Sequence, residues 1–98
     1  METFNEAISA NQLVLVDFFA TWCQPCQMMH PILEQLKASV GDKLRIIKVD
    51  VDRHSDVAAQ WRIQSVPTLM LFRNGEVLYR NSGVMDKAEL MALLDPFM

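Results

Sequence analysis

A nearly uninterrupted apolar segment, Leu13 to Phe19, constrains the fold of this chain most. Only Asp17 interrupts it. A strand with one solvated face alternates apolar and polar side chains, so a segment without alternation is typical of a central strand covered on both faces. Other segments of the polypeptide must therefore pack against both faces of the sheet. With 98 residues there is room for one domain, which we expect to span 1–98.

The segments on either side of this strand read as helices. Thr3-x-x-Glu6 is a capping box that predicts a short helix to about Ala10. After Pro25, which suits a first helical turn, apolar residues at helical spacing predict a long helix that runs to Gly41.

The second half of the chain supplies three further strands and two helices. Leu44 to Val51 alternates like a strand, and Ser55 to about Trp61 reads as a short helix. Asn74-Gly75 predicts a hairpin between Thr68–Phe72 and Val77–Asn81. A final helix is predicted from the capping box Asp86-x-x-Glu89 to near Pro96. This order predicts an α/β fold with a mixed sheet and helices on both faces.

Charge and hydropathy exclude several classes of function. The net charge is −3 and acids and bases are mixed along the chain, so we expect no nucleic-acid partner. No apolar segment approaches the roughly 18 residues that a membrane span needs. The first residues carry acids where a secretory signal would carry bases, which makes the cytoplasm the expected location.

The two cysteines of the chain, Cys23 and Cys26, lie three positions apart. A bond between them closes almost no loop and restrains the unfolded chain very little, so their value lies in chemistry. Cys23 lies ahead of the helix, where free amides and the positive dipole end favour a thiolate. Cys26 lies one turn in and is less open to solvent. Cys23 is therefore expected to attack a disulfide, and Cys26 to resolve the mixed disulfide.

A lone C-x-x-C also has other interpretations. The two thiolates could be half of a tetrahedral metal site, completed by His30 and His54 or by a second subunit. Two unrelated core cysteines are a further alternative, since free cysteine is often buried. We expect no metal, and we expect His30 to be a histidine on the helix surface.

Longer segments carry a resemblance to a known family. The segment from Val16 to Cys26, including Asp17-Phe18-Phe19-Ala20-Thr21-Trp22-Cys23-Gln24-Pro25-Cys26, resembles the active-site segment of the thioredoxin family. Lys48 to Asp52 is similar to its next strand, Val66 to Glu76 to its cis-proline strand and hairpin, and Gly83 to the glycine after its last strand. The resemblance covers nearly the whole chain.

The resemblance implies roles for residues that spacing alone does not identify. Pro67 would be a cis-proline facing the cysteines, and the backbone of Val66 would pair with an extended segment of the substrate. An apolar surface that receives partner proteins would be formed by Trp22, Pro25, Val66, Pro67 and Gly83.

Asp17 can be examined both from its surroundings and from the resemblance. A carboxylate within an apolar strand is costly when ionised, so burial should raise its pKa. The alternative is an aspartate that points outward at the end of the strand. The resemblance places Asp17 beneath the cysteines as the general base for Cys26, with Lys48 beside it to moderate its charge. Without the resemblance, Lys48 is only a lysine on a strand face.

The sequence departs from the family pattern at several places, among them Gln24 and the start of the chain. Gln24 stands where glycine is usual between the cysteines, placing a polar side chain over the reactive sulfur. The chain also begins at the first helix, and we expect the strand that usually precedes this helix to be missing. We therefore expect about four strands, with Leu44–Val51 at an uncovered edge. The protein is expected to be a monomer with some tendency to self-associate there.

The function implied by the resemblance is that of a protein-disulfide reductase and electron carrier in cell redox homeostasis. Its partners would be disulfide-containing proteins and a flavoprotein thioredoxin reductase that passes on electrons from NADPH, with no cofactor bound to this chain. One alternative is an oxidant or isomerase of an oxidising compartment, although such relatives often carry histidine between the cysteines. Another is a non-catalytic binding module that uses the surface around Trp22.

Overall fold

A four-stranded mixed sheet forms the centre of the structure, a computed structural model that describes residues 1–98. The strands β1 (Leu13–Phe19), β2 (Leu44–Asp50), β3 (Thr68–Arg73) and β4 (Glu76–Ser82) lie in the order β2–β1–β3–β4. β1 pairs in parallel with β2 and antiparallel with β3, and β3 pairs antiparallel with β4. The predicted mixed sheet and its strand number are confirmed.

Four α-helices cover the two faces of this sheet. They are α1 (Phe4–Ser9), α2 (Gln24–Val40), α3 (Ser55–Gln60) and α4 (Lys87–Leu94), and single 3₁₀ turns follow α2 and α4. Side chains from α2 and α4 pack in the larger core cluster, whereas side chains from α1 and α3 pack in the smaller one. The predicted ends of these elements agree with the structure to within two residues.

Both predicted capping boxes are present and explain where two helices begin. The Thr3 hydroxyl accepts the Glu6 N–H at 3.1 Å, and the Glu6 carboxylate accepts the Thr3 N–H at 3.1 Å. The Asp86 and Glu89 side chains make the same pair of bonds, at 2.8 and 3.1 Å. Each box satisfies two amides that the helix itself cannot bond.

The central strand β1 has buried side chains on both faces. Because side chains alternate along a strand, Leu13 and Leu15 enter the larger cluster, while Val14, Val16 and Phe18 enter the smaller one. The same alternation turns Asp17 toward the face covered by α2 and α4. The polar residue that interrupts the apolar segment is thereby placed under the helix that carries the cysteines.

The hairpin turn joins the sheet to α1. Asn74 and Gly75 both have left-handed backbone conformations, with φ of 54° and 78°, as the expected two-residue turn requires. Their N–H groups donate to the carbonyl oxygens of Ala10 and Ile8 at 3.0 and 2.9 Å.

None of the helices combines the length and apolar character that crossing a membrane would require.

Strand β2 lies at one edge of the sheet, as predicted. Close to this edge, the guanidinium of Arg45 donates two hydrogen bonds to the Glu2 carboxylate, at 2.5 and 2.9 Å. An edge strand presents backbone N–H and C=O groups that have no partner within its own sheet, and these can pair with a strand of another chain.

We expect weak self-association through β2, detectable as a rise in mean sedimentation coefficient with protein concentration. Ile46→Lys adds a charge to β2 and should reduce this rise, because charged edge residues oppose edge-to-edge pairing. Val77→Lys, on the opposite edge strand β4, is the matched control and should leave the rise unchanged. A concentration-independent monomer would contradict the expectation.

Candidate active site

The cysteine pair lies where the chain leaves β1 and enters α2. The N–H of Cys23 donates to the Ala20 carbonyl at 3.2 Å, and Cys23 is the N-cap residue of α2 with an extended backbone. Its sulfur accepts the N–H of Cys26 at 3.2 Å, and Pro25 occupies the first turn, where no helical N–H bond is lost. The Cys23 sulfur thus occupies the position of a capping oxygen, where amide dipoles favour negative charge.

Cys23 and Cys26 are joined by a disulfide, with their Cα atoms 5.3 Å apart. Cys26 is completely buried, and 4% of Cys23 is exposed. Cys26 is thus the less open to solvent of the two, as expected.

The segment opposite the cysteines comes from the start of β3. The Val66–Pro67 peptide bond is cis, as predicted, and the Val66 carbonyl oxygen lies 3.6 Å from the Cys23 sulfur. The N–H of Gly83 donates to the Pro67 carbonyl at 2.9 Å. Gly83 has a φ of 102°, which side-chain-bearing residues rarely adopt. The structure thus brings Val66, Pro67 and Gly83 together beside the cysteine pair.

Trp22 is exposed over 72% of its surface beside this segment. Its indole N–H donates to the Asp52 carboxylate at 2.9 Å, which fixes the ring without burying it. A cavity of about 250 Å³ adjoins the ring, lined by Trp22, Val51, Ile63, Gln64, Ser65 and Val66. Gln24 and Pro25 are exposed at the start of α2.

Asp17 is fully buried, and neither of its carboxylate oxygens has a hydrogen-bond partner. The alternative of an outward-pointing aspartate is therefore wrong. Loss of hydration raises the pKa of Asp17 to about 6, and the positive charge of Lys48 limits the rise. Lys48 is the residue paired with Asp17 across β1 and β2. Its position as a charged neighbour of Asp17 agrees with the prediction.

The Lys48 ammonium has a partner that the sequence did not suggest. Its Nζ lies 2.9 Å from Nδ1 of His30 in α2, and the His30 ring packs edge-on against Phe19 at a centroid distance of 5.7 Å. His30 is thus half-buried rather than free on the helix surface. Burial and the charge of Lys48 lower the pKa of His30, and Glu34 opposes them.

Arg80 is a second residue that sequence reasoning missed. Its guanidinium donates to the carbonyls of Trp61 and Arg62, at 2.6 and 2.8 Å, where α3 ends and the loop toward Val66 begins. Alternation along β4 could place Arg80 on a face of the sheet, but no local pattern indicates these distant carbonyls. Trp61 packs at the end of α3, with its ring 5.0 Å from that of Phe72.

The residues considered for a metal site do not come together. His54 is exposed at the start of α3, while His30 contacts Lys48 and Phe19. No group of three or more His, Cys, Asp or Glu side chains has an arrangement that could hold a metal ion.

A cysteine pair that caps a helix, beside a cis-proline on a mixed sheet, defines a thiol–disulfide oxidoreductase that acts by dithiol–disulfide exchange. The family model described as Thioredoxin matches residues 1–96. The chain belongs to the thioredoxin family.

Individual relatives agree with this assignment. The chain is 47% identical to a thioredoxin of Chlamydia caviae, over 96% of this chain and 90% of that protein. It is 40% identical to part of the bifunctional thioredoxin reductase/thioredoxin of Mycobacterium leprae, over 90% of this chain and 19% of that protein. A solved structure of thioredoxin-2, described as a component of malaria parasite protein secretion machinery, superimposes with a TM-score of 0.85. It is 30% identical, covering 88% of this chain and 84% of that one.

Asp17→Asn should remove a pH-dependent loss of stability from the oxidised protein. The unfolded carboxyl ionises near the ordinary pKa of 3.8, whereas the folded one keeps its proton to about 6. Between these values the folded state binds more protons, so its stability falls as the pH rises. The fall amounts to about 3 kcal/mol and is complete near neutral pH.

Urea unfolding of both proteins at several pH values measures this difference. Asp42→Asn, at an exposed acid, is the control and should keep the wild-type pH dependence. If the curves for wild type and Asp17→Asn were parallel from about pH 4 to pH 7, the buried carboxyl would not carry the effect.

Proposed function

We propose that this chain is a protein-disulfide reductase that carries electrons to other proteins. The observation that carries the proposal is the hydrogen bond from the Cys26 N–H to the Cys23 sulfur at the N-terminus of α2. In the reduced protein this amide and the helix dipole favour the Cys23 thiolate, which is the species that attacks disulfides.

The first step is an exchange at Cys23. The thiolate attacks one sulfur of a substrate disulfide, a bond forms between the Cys23 sulfur and that sulfur, and the substrate's own S–S bond breaks. The second substrate sulfur leaves as a thiolate, which is protonated from solvent. The product of this step is a mixed disulfide between the two proteins.

The second step releases the substrate. Cys26 gives its proton to the Asp17 carboxylate, and the resulting thiolate attacks the Cys23 sulfur. The Cys23–Cys26 bond forms as the mixed disulfide breaks, and the substrate sulfur leaves as a thiolate that is protonated from solvent. The substrate has then gained two electrons and this chain has lost two. A buried carboxyl with a pKa of about 6 suits the role of Asp17, because a general base works best when its pKa is close to the operating pH.

The surface beside Cys23 gives the substrate a place to bind. The Val66 carbonyl points toward the Cys23 sulfur and can accept a backbone N–H from an extended peptide, as in strand addition. Trp22 supplies exposed apolar area that Asp52 holds in place. Gln24 and Pro25 border the same surface, so Gln24 would influence which partners fit and how easily the disulfide is reduced.

The oxidised chain must be reduced again before another turnover. We propose that a flavoprotein thioredoxin reductase supplies the two electrons from NADPH and that this chain itself binds no cofactor. A relative that joins a thioredoxin reductase to a thioredoxin in one polypeptide supports this partner. Bacterial thioredoxins among the relatives support a place in the cytoplasm and in cell redox homeostasis.

Reduction of insulin disulfides with NADPH and a thioredoxin reductase tests this activity. The wild type should turn over repeatedly, and Cys23→Ser should lose at least ~100-fold of the rate, because a serine hydroxyl does not ionise near neutral pH. Cys26→Ser is the matched control, since it should form a mixed disulfide with insulin but fail to release it. Undiminished turnover by Cys23→Ser would contradict the role of Cys23 and favour a binding function.

Asp17→Asn should slow the second step and leave the first largely intact. Stopped-flow measurements with a fluorescent disulfide peptide separate formation of the mixed disulfide from its resolution. We expect resolution to slow by about 10²-fold at neutral pH, which is the lower end of what a positioned general base contributes. An unchanged rate of resolution would show that Asp17 is only structural.

A further inference from the structure

The contact between His30 and Lys48 joins helix α2 to the edge strand β2. Nδ1 of His30, in α2, and Nζ of Lys48, in β2, lie 2.9 Å apart. An ammonium group can only donate hydrogen bonds, so Nδ1 accepts and the ring proton is on Nε2. The bond therefore exists only while the imidazole is neutral.

Each partner is held in a different way. The His30 ring is fixed by its edge-on contact with Phe19 and by half-burial in α2. Lys48 is exposed and ends a long flexible chain, which would otherwise spread over many rotamers in solvent. The fixed His30 ring thus restricts the Lys48 ammonium to a position within hydrogen-bond distance of Nδ1.

Asp17 is the group that this charge affects. Lys48 and Asp17 are directly paired across β1 and β2, so their side chains leave the sheet on the same face. The Asp17 carboxylate has no hydrogen-bond partner, and Lys48 is the charged residue that acts on it. Any change in the position of the ammonium therefore changes the electrostatic environment of Asp17.

We propose that His30 is a positioning residue that holds the Lys48 ammonium near Asp17. His30 thereby sets the electrostatic environment in which the Asp17 carboxyl gains and loses its proton. The effect on turnover rests on the proposed reductase function, in which Asp17 receives the proton of Cys26. The effect on Asp17 itself does not.

The charged groups around His30 make this arrangement sensitive to pH. Lys48 faces the ring from β2, and Glu34 faces it from the next turn of α2. Burial and Lys48 disfavour the imidazolium, while Glu34 favours it. When the ring takes up a second proton in acid, it can no longer accept from Lys48 and repels it, so the ammonium moves out toward water.

Titration of the Asp17 carboxyl by ¹³C NMR in the oxidised protein tests the proposal without any enzymatic assay. His30→Ala should raise the Asp17 midpoint by about 0.5 pH unit, because the freed ammonium is screened by water. His30→Gln should keep a midpoint closer to wild type, since its amide oxygen can accept from Lys48. Lys48→Met should raise the midpoint at least as much as His30→Ala.

The double variant His30→Ala/Lys48→Met separates positioning from a general packing effect. If His30 acts through Lys48, the double variant has the same Asp17 midpoint as Lys48→Met alone. A His30→Ala midpoint that is unchanged or lowered, or a shift of equal size in the Lys48→Met background, would overturn the proposal. Amide spectra of each variant establish that it is folded.

The kinetic consequence is measured separately. In single-turnover resolution of a mixed disulfide, the pH midpoint of His30→Ala should move upward together with its Asp17 midpoint. If Asp17 shifts as expected while resolution keeps its wild-type pH profile, the positioning by His30 stands and the proposed role of Asp17 as the base fails.

Discussion

The burial of β1 on both faces and along both edges is the constraint on which the rest of the structure depends. With β2 and β3 paired beside it and helices above and below, the strand has no solvent-facing side. After β1 the chain returns to the surface beyond Phe19, and there it begins a helix within a few residues. This short exit places the Cys23 sulfur at the first free amides of α2. The reactivity of the site thus follows from the position of an unreactive strand.

The same constraint explains why ionisation of the Asp17 carboxyl costs folding free energy. A strand with no exposed face has no inexpensive place for a carboxyl, and this one has neither exposure to solvent nor a hydrogen bond to another protein group. The stability lost by ionising it near neutral pH is of the order of a few kcal/mol, a sizeable part of what a small domain possesses. Natural sequences that break a local rule in this way tend to do so where function requires it.

Much of the fold could be predicted because its determinants are local. Thr3 with Glu6 and Asp86 with Glu89 satisfy helix N-termini within one turn, and Asn74-Gly75 needs only the backbone freedom of two residues. The burial of Asp17 was predictable because the apolar residues before and after it mark a strand that is covered on both faces.

The cis-proline and the surface around Trp22 were predicted only from the resemblance to a family. The remaining contacts of the site could be predicted in neither way. His30 with Lys48, Trp22 with Asp52, and Arg80 with the carbonyls at the end of α3 each join residues 18 to 30 positions apart. Long polar side chains have many rotamers, and which partner they reach is decided only after the elements have packed.

The hydrogen bonds of Arg80 and Gly83 show that two parts of the site depend on different parts of the sequence. The sulfur chemistry is encoded by one stretch early in the chain, whereas the shape of the opposing surface is maintained by the last strand and the residue after it. Under the proposed function, changes in that C-terminal stretch would alter which proteins bind beside Cys23 and leave the cysteine pair unchanged. Partner selectivity and cysteine reactivity would then change through substitutions in different segments of the chain.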